Sequence, residues 1–140
     1  MGIFDRFISR SESKNKDGVS QEKVNTPMPW HPLMRADQIK DLIDLSHEKT
    51  ILIFKHSTRC IISSMVLRAL ESNADQLSPL GSWHYLDLIA NRDCSNEVAT
   101  VLDVVHQSPQ LIVLNEGTVL WAASHQSISP ESILAALASA

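Results

Sequence analysis

Apolar residues along this chain follow two patterns that predict its secondary structure. Continuous apolar runs are typical of buried strands, whereas apolar positions three and four apart are typical of amphipathic helices. The first pattern predicts strands over residues 28–33, 50–54, 83–88, 111–114 and 119–123. The second predicts helices over residues 37–47, 61–70 and 95–105, and a last helix that begins at residue 129. Prolines limit the first strand to a short edge strand.

The spacing also predicts which side chains face the core. In the first helix the inward positions are Ile39, Leu42, Ile43 and Ser46. In the helix that follows Cys60 they are Ile62, Met65, Val66, Ala69 and Leu70. In the helix over residues 95–105 they are Val98, Val101, Leu102 and Val105. Each of these helices therefore has one apolar face that needs a sheet or a neighbouring helix to cover it.

Local turn and capping signals support these assignments. Residues 115–118, Asn-Glu-Gly-Thr, predict a hairpin turn in which Gly117 adopts a positive φ. Ser129, Pro130 and Glu131 are the residue types preferred at the start of a helix, in that order.

The predicted order of elements is β-α-β-α-β-α-β-β-α, which places the chain in the α/β class. Strands that alternate with helices predict a central, largely parallel sheet flanked by helices on both faces, and the late hairpin makes that sheet mixed. A thioredoxin-like fold has this order, although other small α/β folds share it. We assign the folded domain to residues 27–140. Residues 1–26 are interpreted as a flexible N-terminal tail with a short amphipathic start, because residues 9–26 offer almost nothing to bury.

Composition and charge narrow the class of protein. The 140 residues are 44% hydrophobic and 20% charged, which fits one ordinary globular domain. A formal net charge of -4 argues against nucleic acid as a partner, because such proteins need a basic surface. We expect no membrane span and no signal peptide, and therefore a cytoplasmic protein in which the two cysteines are reduced thiols.

Cys60 lies where a buried strand gives way to the best-defined helix. The polar turn before it contains Thr58, a capping hydroxyl, and Arg59, a fixed cation. Unpaired backbone N–H groups and the positive end of the helix dipole favour a thiolate at this place. The thiolate is the nucleophile of thiol–disulfide exchange, so we interpret Cys60 as a catalytic thiol rather than as a buried filler residue.

Ser63 stands three residues after Cys60, where a dithiol enzyme has its second cysteine. A C-x-x-S site cannot close an internal disulfide, so an external thiol must resolve any mixed disulfide that forms on Cys60. The motif thus predicts monothiol chemistry with a small thiol as co-substrate. For Ser63 itself we expect only a hydrogen bond within the first helical turn.

The segment over residues 55–66, Lys-His-Ser-Thr-Arg-Cys-Ile-Ile-Ser-Ser-Met-Val, resembles the signature of the YtxJ-type monothiol bacilliredoxins, which have a thioredoxin-like fold. The resemblance extends from Trp30 to the C-terminus through residues 85–88, 91–93, 106–110 and 124–125. It implies a cytoplasmic bacterial protein that removes bacillithiol from S-bacillithiolated proteins. The family commonly has a small residue where this chain has Ile61.

The resemblance also implies roles for residues far from Cys60 in sequence. Pro109 is expected to follow a cis peptide bond and to face the active cysteine, with the backbone of Ser108 free to pair with the substrate. Ser124 and His125, together with Arg59, are the expected contacts of bacillithiol, whose carboxylates, amine and sugar are polar. The histidines His56 and His106 are further candidates, each equally suited to a structural hydrogen bond.

Two other functions remain open from the sequence. Monothiol glutaredoxins with C-x-x-S sites can carry iron–sulfur clusters, although this chain lacks the Gly-Phe interior of their motif. The domain is also consistent with a binding module that uses the groove beside Pro109 without any chemistry at Cys60. We expect a monomer.

Cys94 has two interpretations, a resolving cysteine for Cys60 or a half-exposed residue without a role, and we favour the second. Two distant cysteines without paired histidines predict no metal site.

Overall fold

The computed structural model describes residues 27–139, which form a five-stranded sheet with helices on both faces. The tail prediction for residues 1–26 lies outside the described residues. The strands are β1 (His31–Pro32), β2 (Ile51–His56), β3 (Ser82–Asp87), β4 (Gln110–Asn115) and β5 (Thr118–Ser124). The helices are α1 (Asp37–Leu45), α2 (Ile61–Ser72), α3 (Ala74–Leu77), α4 (Arg92–Leu102) and α5 (Pro130–Ala138). The order of elements is the predicted one, with the short α3 added.

The strands lie in the order β1-β3-β2-β4-β5. β2 pairs in parallel with β3, which pairs in parallel with β1, whereas β4 is antiparallel to β2 and to β5. The sheet is thus mixed, as the sequence predicted. β2 is the central strand, and all six of its residues are buried, which is the burial expected of a strand covered on both faces.

Two apolar layers cover the two faces of the sheet, and alternation along β2 divides them. Leu52 and Phe54 contribute to the layer under α2, α3 and α5. Ile51 and Ile53 contribute to the layer under α1 and α4. Because successive side chains of a strand point to opposite faces, one apolar run supplies both layers.

The inward faces of α2 and α4 differ from the prediction. Met65 of α2 is 61% exposed, and the buried positions of that helix are Ser63, Val66 and Leu70. Helix α4 begins at Arg92 and ends at Leu102, three residues earlier at each end than predicted, so that Val101 and Val105 are exposed and Cys94, Ser95 and Val98 are buried.

The predicted turn and cap are present. Gly117 has a φ of +80°, and Glu116 before it also has a positive φ. Ser129 accepts a hydrogen bond from the backbone N–H of Ser132, and Pro130 opens α5. Among residues 27–139, no helix is both long enough and apolar enough to cross a membrane.

Candidate active site around Cys60

Cys60 is the N-cap of α2 rather than a residue of its first turn. Its backbone is extended, with φ −107° and ψ 122°, and its N–H donates to the carbonyl of Ser57 at 3.2 Å. The carbonyl of Cys60 accepts from the N–H of Ser64 at 3.0 Å, which closes the first helical turn. The side chain is partly exposed. The side chain makes no capping hydrogen bond to the helix. The residue therefore stands at the N-terminal end of the helix, where free N–H groups and the helix dipole favour negative charge, without being buried.

Ser63 makes contacts that the sequence did not predict. Its side chain is fully buried, and its Oγ accepts a hydrogen bond from the backbone N–H of Ser57 at 3.0 Å. The same oxygen lies 2.7 Å from Nδ1 of His56. The serine therefore bonds to the end of β2 and to the turn before Cys60, and the expectation of a bond within the helical turn was wrong.

His56 is a buried structural residue and not an exposed ligand contact. Its ring stacks on Phe54 and lies against Tyr85, with centroid distances of 5.9 and 5.6 Å. Burial lowers the pKa of His56 below its usual value, and the negative charges of Asp87 and Glu71 oppose this effect only in part. The imidazole is therefore neutral near pH 7, and the Ser63 hydroxyl is able to donate to its Nδ1.

The residues expected to bind substrate meet at the end of the sheet where β4 begins. The Ser108–Pro109 peptide bond is cis, as the resemblance implied. The backbone N–H of His125 donates to the carbonyl of Pro109 at 3.1 Å, and Ser124 pairs with Gln110 at the end of the hairpin. Ser108, Pro109, Ser124 and His125 are thus neighbours.

Cys60 lies at the same end of the sheet. Gln110 at the start of β4 also pairs with Lys55, near the end of β2, so the turn that leads to Cys60 emerges beside the cis proline. Thr58 and Arg59 of that turn are exposed. The structure thus brings the predicted site residues to one end of the sheet, while their individual roles stay predictions. They are Thr58, Arg59, Cys60, Ser63, Ser108, Pro109, Ser124 and His125.

Comparison with known proteins identifies the family. Residues 31–133 match the family model described as monothiol bacilliredoxin BrxC. This chain belongs to the monothiol bacilliredoxin family. Among solved structures, it resembles a provisional oxidoreductase with a thioredoxin fold, with 28% identity and a TM-score of 0.65 over 76% of this chain and 92% of that one. The thioredoxins of Malassezia sympodialis and Fasciola hepatica share only the fold. The Malassezia protein is 16% identical, with a TM-score of 0.63 over 83% of this chain and 93% of that one. The Fasciola protein is 15% identical, with a TM-score of 0.61 over 78% of this chain and 97% of that one.

Family and fold establish the coarse activity. This bacilliredoxin has a thioredoxin fold and belongs to a family of thiol–disulfide oxidoreductases, and its partly exposed cysteine lies at the end of β2, before the first turn of α2. Among residues 27–139, no cluster of three or more histidine, cysteine or acidic side chains is arranged to hold a metal ion.

Lys55 is a residue of the bacilliredoxin site region that the sequence analysis missed. Its side chain is fully buried, its Nζ donates to the carbonyl of Ser95 at 3.1 Å, and it lies 3.2 Å from Nδ1 of His106. Burial lowers the pKa of Lys55 to about 8, although the charge of a Cys94 thiolate would raise it. Its signals in the sequence were its place directly after the apolar run of residues 50–54 and at the start of the segment that resembles the family signature.

His106 and Cys94 lie with Lys55 on the side of the sheet that α1 and α4 cover. Burial, and then the positive charges of Lys55 and Arg92, lower the pKa of His106. Cys94 is a free thiol that is 2% exposed, and burial raises its pKa. Cys94 is therefore an inert core thiol, not the half-exposed residue that we expected.

Proposed function

We propose that this bacilliredoxin removes bacillithiol from S-bacillithiolated proteins through Cys60, in the cytoplasm, where small thiols are kept reduced. The observation that carries the proposal is the pairing of a partly exposed cysteine with a serine three residues later that is fully buried. Ser63 supplies no second thiol, so the chemistry that fits is exchange with an external small thiol.

Two exchange steps complete the cycle. In the first, the Cys60 thiolate attacks the bacillithiol sulfur of the mixed disulfide, and the target protein leaves as a thiolate. In the second, the thiolate of another bacillithiol molecule attacks the bacillithiol sulfur held on Cys60. The product is bacillithiol disulfide, and Cys60 leaves as a thiolate, so each target disulfide that is reduced consumes one free bacillithiol and yields one bacillithiol disulfide.

The polar groups at the end of the sheet where β4 begins support bacillithiol as the co-substrate. Ser124 and His125 lie beside the Ser108–Pro109 bond, and Arg59 adds an exposed cation before Cys60. A small thiol that carries carboxylates, an amine and a sugar needs such donors and a positive charge. In this proposal the backbone of Ser108, which precedes Pro109, orients the disulfide.

The test is transfer of an adduct to Cys60. The full chain is incubated with one protein that carries bacillithiol, glutathione or cysteine on a single cysteine, and the adduct on the chain is located by mass spectrometry. We expect the bacillithiol adduct to move to Cys60 fastest, and no transfer in the Cys60→Ser variant. The matched control, Cys94→Ser, should retain the rate, because Cys94 lies in the core.

Three results would contradict the proposal. The first is transfer from all three adducts at the same rate, and the second is transfer that persists in Cys60→Ser. The third is a coloured protein after anaerobic reconstitution with iron and sulfide, which would favour the iron–sulfur carrier over the oxidoreductase.

A further inference from the structure

An apolar groove runs along α2 on the side that faces the segment after β5. Its volume is about 220 Å³. That is below the roughly 300–1,000 Å³ of a pocket for a drug-sized ligand but enough for one large side chain. The lining is almost entirely apolar, and it consists of Ile62, Met65, Val66, Ala69, Gln126 and Ile128.

Exposed apolar side chains connect this groove to the reactive thiol. Ile61, which directly follows Cys60, is 78% exposed, and Met65, one helical turn later, is 61% exposed and lines the groove. Residues four apart share one face of a helix, so these two side chains form a continuous apolar strip from the sulfur to the groove. Exposed apolar side chains that adjoin an apolar groove suit contact with an apolar group of a partner.

The strip has positive charge at both ends. Arg59 precedes Cys60, and Arg68 lies seven residues after Ile61 on the same helical face. Both arginines are exposed, and neither makes a salt bridge with another residue of the described 27–139 segment. Glu71, three residues after Arg68, is also exposed, but its carboxylate accepts a hydrogen bond from the indole N–H of Trp30 at 3.0 Å.

We propose that this strip and groove bind the target protein's half of the mixed disulfide. A large apolar side chain of the target, adjacent to the modified cysteine, enters the groove, and an acidic residue of the target on the other side of that cysteine pairs with the arginines. The inference rests on the proposed function. Bacillithiol is too polar for an apolar lining, so the two halves of the substrate bind to different surfaces according to their polarity. The small thiol lies on the polar side of Cys60, at Ser124 and His125, and the protein half lies along α2.

Binding is tested first, without any disulfide chemistry. Two fluorescein-labelled nonapeptides carry a central serine in place of the modified cysteine. In the first peptide Glu precedes this serine and Phe follows it, and in the second peptide Lys precedes it and Ser follows it. They are titrated against the full-length Cys60→Ser chain by fluorescence anisotropy. We expect the Glu–Phe peptide to bind at least about tenfold more tightly, since one large apolar side chain is buried on binding. The variant Met65→Gln should remove most of this preference.

A matched variant controls for general surface effects. Val105 is 78% exposed, as Ile61 is, but lies beyond the end of α4, away from the groove. Val105→Gln should keep the preference. Equal affinities for the two peptides, or an equal loss in Met65→Gln and Val105→Gln, would overturn the proposal.

Other occupants of the groove give different results. If the chain's own apolar start fills it, Phe4→Ser with Phe7→Ser will increase the affinity for both peptides. If a second copy fills it, sedimentation will show dimers that Met65→Gln dissociates. Either result would overturn the inference.

A rate measurement separates this inference from the proposed function. The same peptides with a central bacillithiolated cysteine are mixed with the wild-type chain, and the adduct on Cys60 is followed by mass spectrometry. Transfer from both peptides at one rate would refute target docking and leave the exchange function intact. A binding preference without any transfer would refute the exchange function and leave the docking surface intact.

Discussion

Ser63 replaces the second cysteine of a dithiol site, and it also holds the site together. Its oxygen joins the imidazole of His56, at the end of β2, to the backbone N–H of Ser57, in the turn that leads to Cys60. Both partners are buried, so the hydroxyl satisfies two polar groups in residues that have little contact with water. The serine therefore has a structural role that is independent of the missing thiol.

This role predicts the effect of Ser63→Ala on stability. The substitution leaves Nδ1 of His56 and the N–H of Ser57 buried without this partner, which should lower the free energy of unfolding by about 1–3 kcal/mol. The measurement is equilibrium denaturation in urea. Ser64→Ala is the control, because Ser64 is only partly buried, and it should change stability by less than about 0.5 kcal/mol. Equal effects of the two substitutions would show that the hydroxyl of Ser63 contributes nothing.

At the scale of elements, the β4–β5 hairpin is tied to the end of α1. The N–H of Glu116 donates to the carbonyl of Ser46 at 2.9 Å, and the N–H of Gly117 donates to its hydroxyl at 2.8 Å. Both turn residues have positive φ, the geometry of the two-residue turn that matches the twist of paired strands. A Cβ on Gly117 would also come within 2.6 Å of the ring of His47.

The turn predicts opposite outcomes for two neighbouring substitutions. Gly117→Ala should destabilise the domain by about 1–2 kcal/mol, because a side chain is disfavoured at positive φ and meets His47. Glu116→Gly removes a side chain from a positive φ and should be neutral or slightly stabilising. Thermal unfolding of both variants against the wild type tests this pair, and an unchanged midpoint in Gly117→Ala would contradict it.

At the scale of the molecule, the sheet separates the two cysteines. Cys94 belongs to the layer under α1 and α4, whereas Cys60 precedes α2, which covers the other face. One thiol is partly exposed and the other is 2% exposed. The fold thus keeps the second thiol away from the chemistry of the first.

Differential alkylation checks this separation. In the native protein, iodoacetamide should label Cys60 about a hundredfold or more faster than Cys94, because labelling of a core thiol requires the domain to open. Cys60→Ser and Cys94→Ser identify the labelled residue by mass. Comparable labelling rates of the two cysteines in the folded protein would contradict this separation. A mass loss of two hydrogens after mild oxidation, which indicates an intramolecular disulfide, would contradict it as well.

The sequence by itself determined the order of elements and the place of the thiol. These are local properties. An apolar run such as Ile51–Phe54 requires burial wherever it lies, and Gly117 suits its turn. A serine three residues after Cys60 excludes a C-x-x-C disulfide without reference to the rest of the chain. The mixed sheet also followed, because strands that alternate with helices pair in parallel and the late hairpin adds antiparallel strands.

Only the tertiary structure decided which polar residues are buried and which apolar residues are exposed. Lys55 and His56 are polar in sequence, yet both are buried, because helices cover β2 on both faces to its end. Met65 fits the apolar spacing of α2, yet it is exposed, because the sheet covers only the narrower strip of Ser63, Val66 and Leu70. Burial depends on neighbours from distant parts of the chain, and the local spacing of apolar residues does not predict which neighbours those are.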